Sequence, residues 1–132
     1  MTRKVALVFA GLSIAVGAAT CGGDDAADGC VAGKECVCSG DCDKTCGSGG
    51  GCAFTCGKDA SCTFSCPGGS CTAKGEGAKS VILTCSGSGC GLTCSGGQTC
   101  KISECANACP VTCGGAAACE TSCPVTSGCT KQ

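Results

Sequence analysis

A five-residue pattern, Cys-x-apolar-Thr/Ser-Cys, recurs along this chain and limits what it can fold into. Its clearest copies are Cys52-Ala53-Phe54-Thr55-Cys56 and Cys62-Thr63-Phe64-Ser65-Cys66. Units open at 42, 52, 62, 71, 81, 90, 100, 109 and 119, each 9 or 10 residues after the last, and a final one opens at Cys129. The stretch between Cys71 and Cys85 is therefore not a gap. It holds two units that each lack one cysteine, where Gly75 stands for a closing Cys and Val81 for an opening one. In an extended strand, residues i, i+2 and i+4 share a face, so each unit directs Cys, an apolar residue and Cys to one side. The central column reads Lys44, Phe54, Phe64, Ala73, Leu83, Leu92, Ile102, Val111, Thr121: apolar in the middle, polar at both ends. The opposite face carries Thr45, Thr55, Ser65, Thr84, Thr93, Ser103, Thr112 and Ser122. Turn residues such as Gly47-Ser48-Gly49-Gly50-Gly51 separate the units, and helical periodicity is absent after residue 20.

Equal short strands form a meander or a solenoid. A meander of nine such strands leaves its apolar face uncovered. Two strands per coil bury both inward columns against each other. Units two apart start 19 or 20 residues apart, which suits stacked coils. The expected fold is an all-β, disulfide-stapled β-solenoid with about two strands per coil, preceded by an N-terminal signal helix. Phe54, Ala73, Leu92 and Val111 stack on one sheet, and Phe64, Leu83 and Ile102 on the other.

Burial alone cannot hold such a chain. It has 21 Cys and 24 Gly in 132 residues, three Phe, and no Trp or Tyr; its 43% hydrophobic fraction counts cysteine. Covalent or metal cross-links must offset the ordering entropy. The N-terminus indicates which. Arg3 and Lys4 precede an apolar run from Val5 to Val16 and the small residues Gly17-Ala18-Ala19-Thr20. That is the layout of a secretory signal, leading to a compartment where thiols oxidise. The stretch Ala18-Ala19-Thr20-Cys21 resembles a bacterial lipobox, and Gly22-Gly23-Asp24-Asp25-Ala26-Ala27-Asp28 resembles the tether that follows one. The resemblance implies lipidation of Cys21 and a membrane anchored by lipid as the partner. Gly22 after that cysteine implies the outer membrane; ordinary signal cleavage after Ala19 is the alternative. Parity agrees with lipidation, because setting Cys21 apart leaves an even number of cysteines. The domains are then 1–20 signal, 21–35 anchor and tether, and 36–132 repeat domain.

Four residues of strand span about 13 Å, too far for a disulfide, so bridges cross turns or join coils. Gly75 and Val81 are missing together, as expected if each closing Cys bonds the next opening one. This predicts Cys46–Cys52, Cys56–Cys62, Cys66–Cys71, Cys85–Cys90, Cys94–Cys100, Cys113–Cys119 and Cys123–Cys129. A local bulge past Glu104 brings in Cys105 to bond Cys109. Upstream, Cys36–Cys42 repeats the six-residue step and leaves Cys30–Cys38. Bridges between neighbouring coils are the rival scheme.

Little chemistry is visible. With no His and only scattered carboxylates (Asp41, Asp43, Asp59, Glu76, Glu104, Glu120), there is no general-base or nucleophile constellation, and enzymatic activity is not expected. A net charge of −1 gives no footprint for nucleic acid. The glycine-rich loops lack the context of a phosphate cradle, and no cofactor is indicated. Thiolate metal binding or redox buffering is the chemical alternative. Against it, Cys36-Val37-Cys38 is the one Cys-x-Cys and no Cys-x-x-Cys occurs. The outward face lacks the regular Thr-x-Thr rows of cysteine-stapled ice-binding solenoids, though its hydroxyl column is a candidate glycan or ligand surface.

Signal, lipobox, tether and repeats together resemble the cysteine-rich repeat lipoproteins of Gram-negative bacteria. The resemblance implies an extracytoplasmic, lipid-anchored envelope or surface module with a structural, spacer or adhesion role. It carries over no functional residues.

Overall fold

The computed structural model describes residues 29–97, 99–124 and 129–132. The signal segment, its expected helix and Cys21 lie outside them. Eleven strands run in chain order: β1 (Glu35–Cys38), β2 (Cys42–Thr45), β3 (Ala53–Cys56), β4 (Ser61–Cys66), β5 (Thr72–Glu76), β6 (Ser80–Cys85), β7 (Gly91–Ser95), β8 (Thr99–Ser103), β9 (Cys109–Gly114), β10 (Ala118–Ser122) and β11 (Cys129–Lys131). The odd strands form a six-stranded sheet, β1-β3-β5-β7-β9-β11, and the even strands a five-stranded one, β2-β4-β6-β8-β10. Every ladder is parallel. This is a β-solenoid with two strands per coil. At about 4.8 Å per coil the stack from β1 to β11 is roughly 24 Å long.

The register aligns the repeats as the unit spacing requires. Phe54, Ala73, Leu92 and Val111 face one another along the odd sheet, and Phe64, Leu83 and Ile102 along the even one. All seven are buried. The Phe54 and Phe64 rings stack between the sheets with centroids 4.5 Å apart and planes 13° apart. In β3 to β9 one central apolar residue per strand makes a core one side chain wide on each sheet, flanked by sulfur except where Gly75 and Val81 stand.

The turns stack as well, through backbone hydrogen bonds such as Gly33 N to Gly51 O (3.0 Å), Gly51 N to Gly69 O (3.0 Å), Asp59 N to Gly77 O (3.0 Å) and Gly77 N to Ser95 O (2.9 Å). Turns leading from an even strand to an odd one share a corner. Just before the odd strand, Gly51, Ser70, Gly89 and Ala108 all have positive φ, between 55° and 73°. Glycine carries this conformation without steric cost; Ser70 and Ala108 accept it where the bridged turn enforces it.

The ends of the stack are closed by polar side chains. Lys44 and Thr121 cover Phe64 and Ile102. Lys131 pairs with Val111 in register, and its Nζ donates to the Cys119 carbonyl at 3.3 Å, reaching across to the other sheet. A charge over an open sheet edge opposes end-to-end pairing of copies.

Two features upstream differ from the expectation. The folded body begins before residue 36: Cys30 pairs with Cys46 in a parallel bridge, Gly33 joins the turn ladder, and Glu35 opens β1. The first two disulfides are Cys30–Cys36 and Cys38–Cys42, not Cys30–Cys38 and Cys36–Cys42. The cause is an unrecognised repeat unit. Cys38 lies beside Cys56 and so occupies a closing position, while Cys36 lies beside Phe54 in the central column. Lys34, one coil before Cys52, takes the opening position. Cys38 therefore bonds the next opening cysteine, Cys42, by the rule the other units follow, and Cys36 takes the remaining Cys30.

At the incomplete coil, an added Cβ on Gly75 would run into the Val81 side chain. Val81 thus fills the volume that a bridge occupies elsewhere. Gly75→Ala is expected to destabilise this coil by about 1–3 kcal/mol through overpacking. Adding Val81→Ala should recover most of the loss. Amide hydrogen exchange in β5 and β6 reads both effects; equal exchange in wild type and Gly75→Ala would contradict the steric account.

Candidate functional site

The chemistry-bearing residues fall into two sulfur columns inside the coil and two hydroxyl columns outside it. Along the corner that leads into odd strands run Cys30–Cys36, Cys46–Cys52, Cys66–Cys71, Cys85–Cys90, Cys105–Cys109 and Cys123–Cys129. Along the opposite corner run Cys38–Cys42, Cys56–Cys62, Cys94–Cys100 and Cys113–Cys119, with Gly75 and Val81 in the vacant middle place. The ten bridges hold all twenty cysteines of the described residues. Their Cα–Cα distances, 5.9–6.4 Å, lie within the range an unstrained disulfide spans. Each bridge clips one turn, and none joins two coils.

Neighbouring bridges nevertheless approach closely. In three places one bridge and a sulfur of the adjacent bridge form a trio with all Sγ atoms within 4.8 Å: Cys38, Cys42 and Cys62; Cys46, Cys52 and Cys71; Cys85, Cys105 and Cys109. Three soft sulfur donors at this spacing suit a soft cation when reduced. In the oxidised chain every one of them is committed to a bridge.

The hydroxyl column of the sequence separates onto opposite faces, because successive units alternate between sheets. On the even face, Thr45, Ser65, Thr84, Ser103 and Ser122 stand in unbroken register. The Thr84 and Ser103 hydroxyls lie 3.4 Å apart. A second line on this face, Ser61, Ser80 and Thr99, runs parallel to the first. Between the lines stand Asp43, Thr63, Ile82, Lys101 and Glu120, with Lys101 Nζ 3.4 Å from Glu120 Oε2. On the odd face, Thr55, Thr93 and Thr112 are interrupted by Lys74, and Thr55 Oγ1 donates to Glu35 Oε1 at 2.7 Å.

Glu104 is where the repeat departs most from its pattern. Strand β8 ends at Ser103, and Glu104 takes a left-handed conformation, φ 62°. The chain turns there rather than bulging within the strand, and Cys105 enters the core to bond Cys109. The Glu104 carboxylate points outward and accepts from Ser86 Oγ at 3.2 Å. The open concavity beside it is lined by Ser103, Glu104, Ser122, Cys123 and Pro124. One carboxylate among hydroxyls supplies no acid–base pair.

Sequence reasoning missed the first coil. The signal that reveals it is Gly33 before Lys34, the same left-handed corner as Gly51 before Cys52. Bridging at this density is typical of extracytoplasmic proteins. No protein-family model, no curated protein and no solved structure matches this chain.

Proposed function

We propose that this chain is a non-enzymatic structural module of the cell envelope, a short rigid rod displayed outside the cytoplasm and tethered by lipid on Cys21. The observation that carries this reading is the clipping of successive turns by ten disulfides around a core too thin to stand by itself. Such a body keeps its shape without ligand or cofactor, which suits a spacer or adhesion surface of the Gram-negative outer membrane. The test is fractionation with intact mass. Wild type is expected in the membrane fraction with an added lipid mass and no alkylatable thiol, and Cys21→Ala in the soluble fraction. Free thiols with zinc or copper retained in native spray would instead favour thiol-based metal binding or redox buffering.

The unbroken hydroxyl ladder on the even face favours a second reading, adhesion to a glycan. Hydroxyls repeating every coil, about 4.8 Å apart, offer paired donors and acceptors along a line. Thr84→Lys/Ser103→Lys is expected to reduce glycan-array or cell binding at least tenfold while leaving all bridges formed. Unchanged binding would remove that face from consideration.

A further inference from the structure

We propose that the corner carrying Cys38–Cys42 and Cys56–Cys62 is a thiol–disulfide exchange site whose reactant is a small external thiol or dithiol. Three observations lead there. The Sγ atoms of Cys38, Cys42 and Cys62 all lie within 4.8 Å of one another, though they belong to two different bridges. Cys42 and Cys62 are in-register partners on adjacent parallel strands, as are Cys38 and Cys56. In-register Cα atoms of adjacent strands are about 4.8 Å apart, inside the range a disulfide spans. The same four cysteines therefore support two pairings, clips across turns and rungs between coils, without moving the backbone far. Finally, Cys42 is half-buried at the end of the stack, whereas Cys56 and Cys62 are buried. Of these four cysteines, reagent in solution meets Cys42 first.

One thiolate of a dithiol attacks Cys42 Sγ, forming a mixed disulfide and releasing Cys38 as thiolate. The second thiol of the reagent attacks its own mixed sulfur, closing into a cyclic disulfide and releasing Cys42. The dithiol is oxidised and the bridge reduced. The Cys42 thiolate then attacks Cys62 Sγ: the Cys42–Cys62 bond forms, the Cys56–Cys62 bond breaks, and Cys56 leaves as a thiolate that takes up a proton. This last step is redox-neutral and moves a thiol from the rim to the buried second coil. It stops there, because the next coil presents Gly75 and Val81 instead of a bridge. The gap in the sulfur column isolates the four-cysteine site from Cys94–Cys100.

Cys38→Ser tests the exchange without added reductant, because it leaves Cys42 unpaired. Trypsin cuts after Lys34, Lys44, Lys58 and Lys74, placing Cys42 on peptide 35–44, Cys56 on 45–58 and Cys62 on 59–74. Exchange joins 35–44, which Cys30–Cys36 already ties to the peptide ending at Lys34, to 59–74 and leaves alkylatable Cys56 on a released 45–58. Without it, 45–58 stays joined to 59–74 and Cys42 takes the label. The expected result is the joined 35–44/59–74 pair, formed about tenfold faster at pH 7.5 than at 6.5, because the thiolate and not the thiol attacks. Adding Cys56→Ser and Cys62→Ser should abolish it. If Cys38→Ser fails to fold, sub-stoichiometric dithiol on wild type gives the same peptide readout. Label remaining on Cys42 at pH 8.5, or joining of 35–44 to several peptides indiscriminately, overturns the proposal.

Discussion

Excess dithiol without denaturant is expected to abolish the solenoid, with loss of the β-sheet circular-dichroism signal and a mass gain of about 20 Da, two hydrogens for each of ten bridges. The reason lies in the ratio of core to chain. Phe54, Phe64, Leu83, Leu92, Ile102, Val81 and Val111 are the large aliphatic and aromatic side chains that the fold buries completely. They must hold eleven strands joined by turns rich in glycine, the residue that loses most freedom on folding. Each clip closes a loop of about five to seven residues and contributes roughly 2 kcal/mol in the chain-entropy model. Removing all ten deletes the larger share of what opposes unfolding, and retained sheet structure after full reduction would show that the apolar columns suffice. Without the clips the thin core does not offset the ordering entropy, so refolding should require reoxidation.

Phe64→Ala is expected to cost about 3–5 kcal/mol locally, the largest effect of any single apolar truncation here. Phe64 is fully buried, stacks on Phe54, and lies between Lys44 and Leu83 in its column. Its removal leaves a cavity that neighbouring clips prevent from closing, since Cys62 and Cys66 anchor both ends of its unit. The clips span single turns and hold no two coils together, so pairing between coils can still be lost with every bridge intact. The loss should therefore appear both as faster amide exchange in β3, β4 and β6 and as a lower global transition. Phe54→Ala combined with Phe64→Ala should cost less than the sum of the two singles, because each ring is the other's packing partner. Exact additivity would mean that the stacked contact contributes nothing of its own.

Most of this architecture was legible because two periodicities coincide. The two-residue alternation within a unit sorts Cys and apolar residues from Thr and Ser, and the 9–10-residue step between units leaves room for one strand and one tight turn. From these came the solenoid, the core columns, and the rule that a closing cysteine meets the next opening one. The joint absence of cysteine at Gly75 and Val81 was informative for a physical reason: one side chain now fills the space of the missing pair. Reading failed where the repeat degrades. In the first coil Lys34 stands at an opening position and Cys36 in the core column, so equal spacing misassigned two bridges. At Glu104 the register shift was legible, but its mechanism, a left-handed residue ending the strand, was not.

By itself the sequence determined strand positions, inward and outward faces and the pairing rule, because these depend on local extension and on the short reach of a disulfide. The core columns across coils were also legible; only the tertiary structure decided the contacts outside them. Stacking at about 4.8 Å splits one hydroxyl column into an unbroken ladder and an interrupted one, and brings Cys62 beside Cys38 and Cys42. Those contacts join residues about twenty positions apart, and they exist only once parallel register has been set by burial of the two apolar columns.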